Sequence, residues 1–113
     1  MYNDNLSNKY LSECIEGYLK GEMNASSFTL SIILHHIAEE EKCFSLRPII
    51  ALIFTYISKK HFSPKEEQKT KNILNDVIKE LNNLEIKADA ERSKIIDDCE
   101  EKLNKILIIV MDE

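Results

Sequence analysis

Two glycines and two prolines in 113 residues leave this chain few local means of ending a helix. Glycine and proline are the strongest breakers of regular backbone, one by freedom and one by a missing N–H. A chain so poor in them is expected to be helices joined by short loops. No stretch alternates apolar and polar residues at period two, so no strand is expected. No internal repeat or low-complexity segment is visible. Residues 1–113 are read as a single domain, an all-α antiparallel bundle of four to five helices.

Apolar spacing places the helices. Leu6, Tyr10, Leu11, Cys14, Ile15, Tyr18 and Leu19 recur every three or four residues and predict a first helix from about Leu6 to Lys20. Gly21 stands where a C-cap belongs. Asn24 suits the N-cap of a second helix to about Lys42, with Phe28, Ile32, Ile33 and Ile37 on its apolar face. In "FSLRPII", Ser45 is a candidate cap and Pro48 fits a first turn. The third helix then runs to about Lys59. Its "IIALIFTYI" is apolar nearly all round, which marks it as the most buried, although Tyr56 is a candidate for exposure. "HFSPKEEQ" is the clearest boundary: Ser63 at the N-cap, Pro64 at N1 and Glu66 at N3 spell a capping box. Ile73, Leu74, Val77, Ile78, Leu81 and Leu84 form the fourth stripe, with Asn82 or Asn83 at its end. Ile95, Ile96, Cys99, Leu103, Ile106, Leu107 and Val110 form the fifth. A break near Ile86 to Asp89, with Asp89 as cap, would separate them. A single bent helix over 64–110 is the alternative.

Charge excludes some functions. The formal net charge is −5, which argues against a protein that binds nucleic acid directly through a basic face. The charge is uneven: residues 1–46 carry seven acids against three lysines, and residues 95–113 carry six against two. The middle, residues 47–94, has ten bases against seven acids. Acidic ends suit a basic protein partner. The three cysteines, Cys14, Cys43 and Cys99, lack a CxxC pair and sit in or beside apolar stripes, as reduced core residues do. No signal peptide or apolar membrane span is visible, so a cytoplasmic protein without membrane partners is expected.

The densest group of reactive side chains is "HHIAEEEKC", residues 35–43. His35, Glu39 and Cys43 share one helical stripe, and His36 and Glu40 the next. Zinc-binding helices use HExxH, which is absent. Di-iron bundles need Glu-x-x-His on two helices, and no acid here stands three residues before a histidine. No P-loop, G-x-S-x-G or G-x-G-x-x-G occurs. No metal, cofactor or catalytic residue is therefore expected, and the chain is not read as an enzyme. The acids read differently. Glu39, Glu40 and Glu41 fall at a helix C-terminus, where negative charge opposes the macrodipole. Asp97, Asp98, Glu100 and Glu101 open the last helical region, where their charge would suit the dipole. Each cluster is either a solvated face or a surface held for a partner; the cost of "EEE" to its own helix favours the second.

"ECIEGYLKGEMNASSFTLSII" resembles the opening of the small helical immunity proteins of the colicin D type, through Tyr18, Leu19, Gly21, Met23, Ala25 and Phe28. "HFSPKEEQKTKNILNDVIKELNNLE" is similar to a later helix of that family. Together the two stretches cover under half of the chain. The resemblance implies an antitoxin that binds a nuclease toxin domain and occludes its basic active site, as immunity proteins of contact-dependent inhibition systems also do. On that expectation Glu39, Glu40, Glu41, Asp97, Asp98, Glu100 and Glu101 are the partner-binding residues. The other reading is a helical adaptor or dimerisation module, a homo-oligomer through an exposed apolar stripe.

Overall fold

The computed structural model describes residues 2–39, 45–84 and 87–112. It contains five helices, α1 (Tyr2–Leu19), α2 (Ala25–Glu39), α3 (Arg47–Ile57), α4 (Pro64–Asn82) and α5 (Asp89–Met111), and no strand among the described residues. The all-α expectation holds. Residues 64–110 are two helices rather than one bent one.

Local chemistry explains most of the ends. Gly21 takes φ 78°, the left-handed conformation that a Cβ disfavours. That lets the Glu22 N–H reach back to the Gly17 carbonyl at 2.9 Å and the Gly21 N–H to Tyr18 at 3.1 Å, a Schellman turn that satisfies orphan carbonyls of α1. Asn24 caps α2, its Oδ1 accepting from the Ser27 N–H at 2.8 Å. The capping box opens α4 as expected: Glu66 N–H donates to Ser63 Oγ at 3.2 Å and Ser63 N–H to Glu66 Oε1 at 3.1 Å.

Three boundaries differ from expectation. Helix α1 begins at Tyr2, since nothing polar in "YNDN" forbids helix and apolar periodicity marks burial rather than ends. Helix α3 is capped by Leu46 with no side-chain bond; Ser45 lies in a short 3₁₀ turn before it. Asp89 is the first residue of α5 and Ala88 its N-cap, so the acid serves the dipole and not the cap. At the same break the Arg92 Nε donates to the Leu84 carbonyl at 3.0 Å, partnering a carbonyl of the turn that follows α4.

Helices α2, α3, α5 and α4 form a ring in which each packs on its neighbours, with α2 and α5 diagonal, while α1 lies outside against α2. The body measures 44 × 34 × 18 Å. Its thin dimension is about two helix diameters. Leu30, Leu34, Leu46, Ile50, Ile53, Ile57, Leu74, Val77, Leu103 and Ile106 fill the centre and are fully buried. Each contributes about 1.5–3 kcal/mol by leaving water.

Packing corrects two expected faces. Helix α2 buries Ser27, Leu30, Ser31, Leu34, His35, Ile37 and Ala38, leaving Phe28 and Ile33 at the margin of the core and Ile32 half-buried. Its apolar residues span more than one side, and the neighbours choose which side is covered. Helix α3 is not buried all round: Leu52 is 51% exposed, and Tyr56, the expected candidate, is 38% exposed, because α2 and α5 cover only part of its circumference.

Candidate functional site

The acidic run comes first. Glu39 is exposed at the last residue of α2, with Oε1 3.2 Å from His35 Nε2. Glu40, Glu41 and Cys43 lie outside the described residues. His35 is buried, with no hydrogen-bond partner at Nδ1 among the described residues, while His36 is exposed. The two imidazoles thus point to different environments. His36 lies on the solvated end of α2, whereas the His35 ring lies inside. No group of three His, Cys, Asp or Glu suited to a metal ion occurs among the described residues.

The second cluster sits differently from its expected place. Helix α5 starts at Asp89, so Asp97, Asp98, Glu100 and Glu101 lie in its middle turns, beyond the reach of the N-terminal dipole. The first-turn acids are Asp89 and Glu91. Asp97, Glu100 and Glu101 are exposed and Asp98 is half-buried. Among the described residues none of the four forms an ion pair; the nearby cation, Lys102, is bound to Glu80 of α4 at 2.9 Å instead. That contact holds the Lys102 ammonium above the usual lysine range, against partial desolvation and with help from Asp76. The Cys99 thiol donates to the other Glu80 oxygen at 3.3 Å. Because α2 and α5 are diagonal in the ring, Glu39 and the 97–101 cluster do not form one face.

Cys14 and Cys99 are buried and unbridged. Burial pushes the Cys14 thiol up from its usual range; the neighbouring Ser31 hydroxyl opposes the shift and the Glu13 charge adds to it. Such a thiol is a core residue and not a nucleophile.

Two clefts were not legible in the sequence. One, about 320 Å³, lies between the end of α1, the turn after it and the end of α3. Its apolar surface is Cys14, Met23 and Phe54; Gly17 forms a wall, and Glu13, Glu22 and Lys59 carry its charge. The other, about 410 Å³, lies where Tyr56 of α3 faces Val110 and Met111 of α5 beside Lys59 and His61. Beneath it Lys60 ties three helices together. Its Nζ donates to the Asp112 carbonyl at 2.9 Å and pairs with Glu66 at 3.1 Å, and its carbonyl accepts from Asn24 Nδ2 and Ser27 Oγ. One residue of the first cleft is unusual in the sequence, although it does not reveal the cleft. Gly17 sits inside a helix, where glycine is costly and needs a reason.

A further surface is the outer side of α1. Ile15, Tyr18 and Leu19 are 41%, 41% and 77% exposed, although they belong to the expected buried stripe. Tyr18 stacks on Phe28 of α2 with ring centroids 4.5 Å apart, but Ile15 and Leu19 turn away from the ring of four.

Among the described residues, fold and surface together define a five-helix protein with an acidic last helix, an outer helix that exposes Ile15, Tyr18 and Leu19, and no helix long and apolar enough to cross a membrane. Comparison with known family profiles, with curated proteins and with solved structures finds no match to this chain.

Proposed function

We propose that this chain is an immunity protein that binds a basic nuclease domain of a toxin and occludes its active site. The observation that carries the reading is the cluster Asp97, Asp98, Glu100 and Glu101. Four carboxylates crowd the middle of α5, where the dipole does not favour them and none of them forms an ion pair among the described residues. Their mutual repulsion costs the helix stability, and a basic partner removes that cost. Nuclease clefts are basic because they bind phosphates, so an acidic inhibitor is complementary to them. Glu39 supports the reading less, since it is tied to His35; with Glu40 and Glu41 it is proposed as a separate contact to the same partner. On this reading the protein acts by steric and electrostatic block, without cofactor, in the cytoplasm of the producing cell.

The reading expects a toxin gene directly beside this one, and the test is binding to the toxin domain it encodes. Asp97→Lys, Glu100→Lys and Glu101→Lys together should leave the helical spectrum intact. They should slow association by on the order of tenfold or more at low salt, with the difference shrinking as salt rises. A parallel reversal of Glu39, Glu40 and Glu41 reads the other end. Unchanged association in both triple variants at low salt would leave the acids as solvated faces only.

The exposed Ile15 and Leu19 favour a second reading, a helical adaptor that dimerises through α1. Sedimentation equilibrium separates the two: a monomer at micromolar concentration rejects the dimer, and a dimer dissociated by Leu19→Glu supports it.

A further inference from the structure

We propose that the cleft between α1 and α3 receives an arginine side chain presented by the protein partner. Three independent features converge there. The first is Gly17. It is an interior helical residue without positive φ, and a Cβ built on it would meet only the Met23 Cβ, at an ordinary 3.9 Å. The fold has room for alanine, which helices prefer. The absent side chain leaves space that opens into the cleft.

The second feature is the floor. Met23 and Phe54 are 4% and 8% exposed, and with the Cys14 thiol they make a dry surface for the aliphatic stem of a long cationic side chain. The third is the charge. Glu13 and Glu22 bring two exposed carboxylates, unpaired among the described residues, against the single ammonium of Lys59. The cleft is therefore negative at its mouth and apolar beneath. A guanidinium fits that combination better than an ammonium: it is planar, weakly hydrated, rests on apolar and aromatic surface, and bonds carboxylates with two parallel N–H groups.

The inference rests on the reading of the partner as a basic protein, but the cleft can be probed without that partner. N-acetyl-arginine methylamide is titrated into the isotopically labelled protein and amide shifts are followed, with N-acetyl-lysine methylamide as control. The arginine probe should give saturable shifts at Gly17, Glu22, Met23 and Ser58, at several-fold lower concentration than the lysine probe. Gly17→Ala should weaken the arginine response at least threefold with the helical spectrum retained. Glu13→Gln with Glu22→Gln should abolish saturation and leaves the helix backbone untouched, so it decides the matter if Gly17→Ala misfolds. Shifts spread over the acids of α5, equal response to both probes, or wild-type titration of the variants overturn the proposal. So do cleft resonances that move with protein concentration alone, which would place a second copy there. A toxin domain that fails to bind while arginine saturates the cleft defeats only the functional reading. A toxin that binds the cleft variants as it binds wild type defeats only the cleft.

Discussion

The two glycines have opposite physical roles, although both lie within one turn and a half of chain. Gly21 holds φ 78°, so Gly21→Ala introduces a left-handed alanine at a cost of about 1–2 kcal/mol. Gly17 is helical with room for a methyl group, so Gly17→Ala should stabilise by up to about 1 kcal/mol. Urea denaturation of the two variants should therefore move the midpoint in opposite directions; a common direction would refute the assignment. The cysteines permit a second measurement at this scale. Burial raises the Cys14 thiol, so alkylation of the native protein should be far slower than of the unfolded chain, and Cys14 and Cys99 should both alkylate on unfolding without reductant. A Cys14 or Cys99 that stays blocked until reduced would contradict the free thiols seen here.

At the scale of elements, the start of α4 was legible because its chemistry is local. Ser63, Pro64 and Glu66 specify the cap within four residues, and the bonds form as spelled. Ser63→Ala should cost about 0.5–2 kcal/mol, read by thermal unfolding. The same turn gives a pH dependence. The Ser63 N–H holds the Glu66 carboxyl below its ordinary range, with Lys60 assisting, and Lys71 and Ser26 do the same for Glu67. A carboxyl depressed in the folded state contributes stability above its unfolded pKa and loses it as pH falls through the folded value. Stability should therefore decline from the ordinary carboxylate range into stronger acid, less steeply in Glu66→Gln. Equal slopes would mean that the cap contributes nothing to acid sensitivity. The start of α3 was less legible. Ser45 has the right chemistry, but the chain turns through a 3₁₀ segment and caps at Leu46, whose side chain is needed in the core.

At the scale of the whole molecule, the ring of α2, α3, α5 and α4 concentrates stability at its centre. Leu103→Ala should cost about 2–5 kcal/mol, because the fully buried site cannot collapse around the cavity. Leu19→Ala, at 77% exposure, should change stability by less than about 0.5 kcal/mol. Comparable losses at the two positions, read from urea midpoints, would mean that α1 is covered in solution by something other than α2.

The sequence alone determined that this chain is helical, where four of its helices lie to within a few residues, and which residues cap α2 and α4. Those properties follow from backbone preference, periodicity and side-chain to backbone bonds within one turn. It also determined the uneven charge, which is a property of composition. Which apolar residues are covered was decided only in three dimensions. The stripe of α1 and the nearly all-apolar α3 look buried by periodicity, yet Ile15, Leu19 and Leu52 face outward because no neighbouring helix reaches them. The start of α5 was legible to within a residue, at the break near Ile86 to Asp89, and that start places Asp97 to Glu101 in the middle turns of the helix and not at its opening. The cleft at Gly17, by contrast, exists only because residues 13–23 meet residues 54–59, and a contact across that span of chain is written in no local pattern.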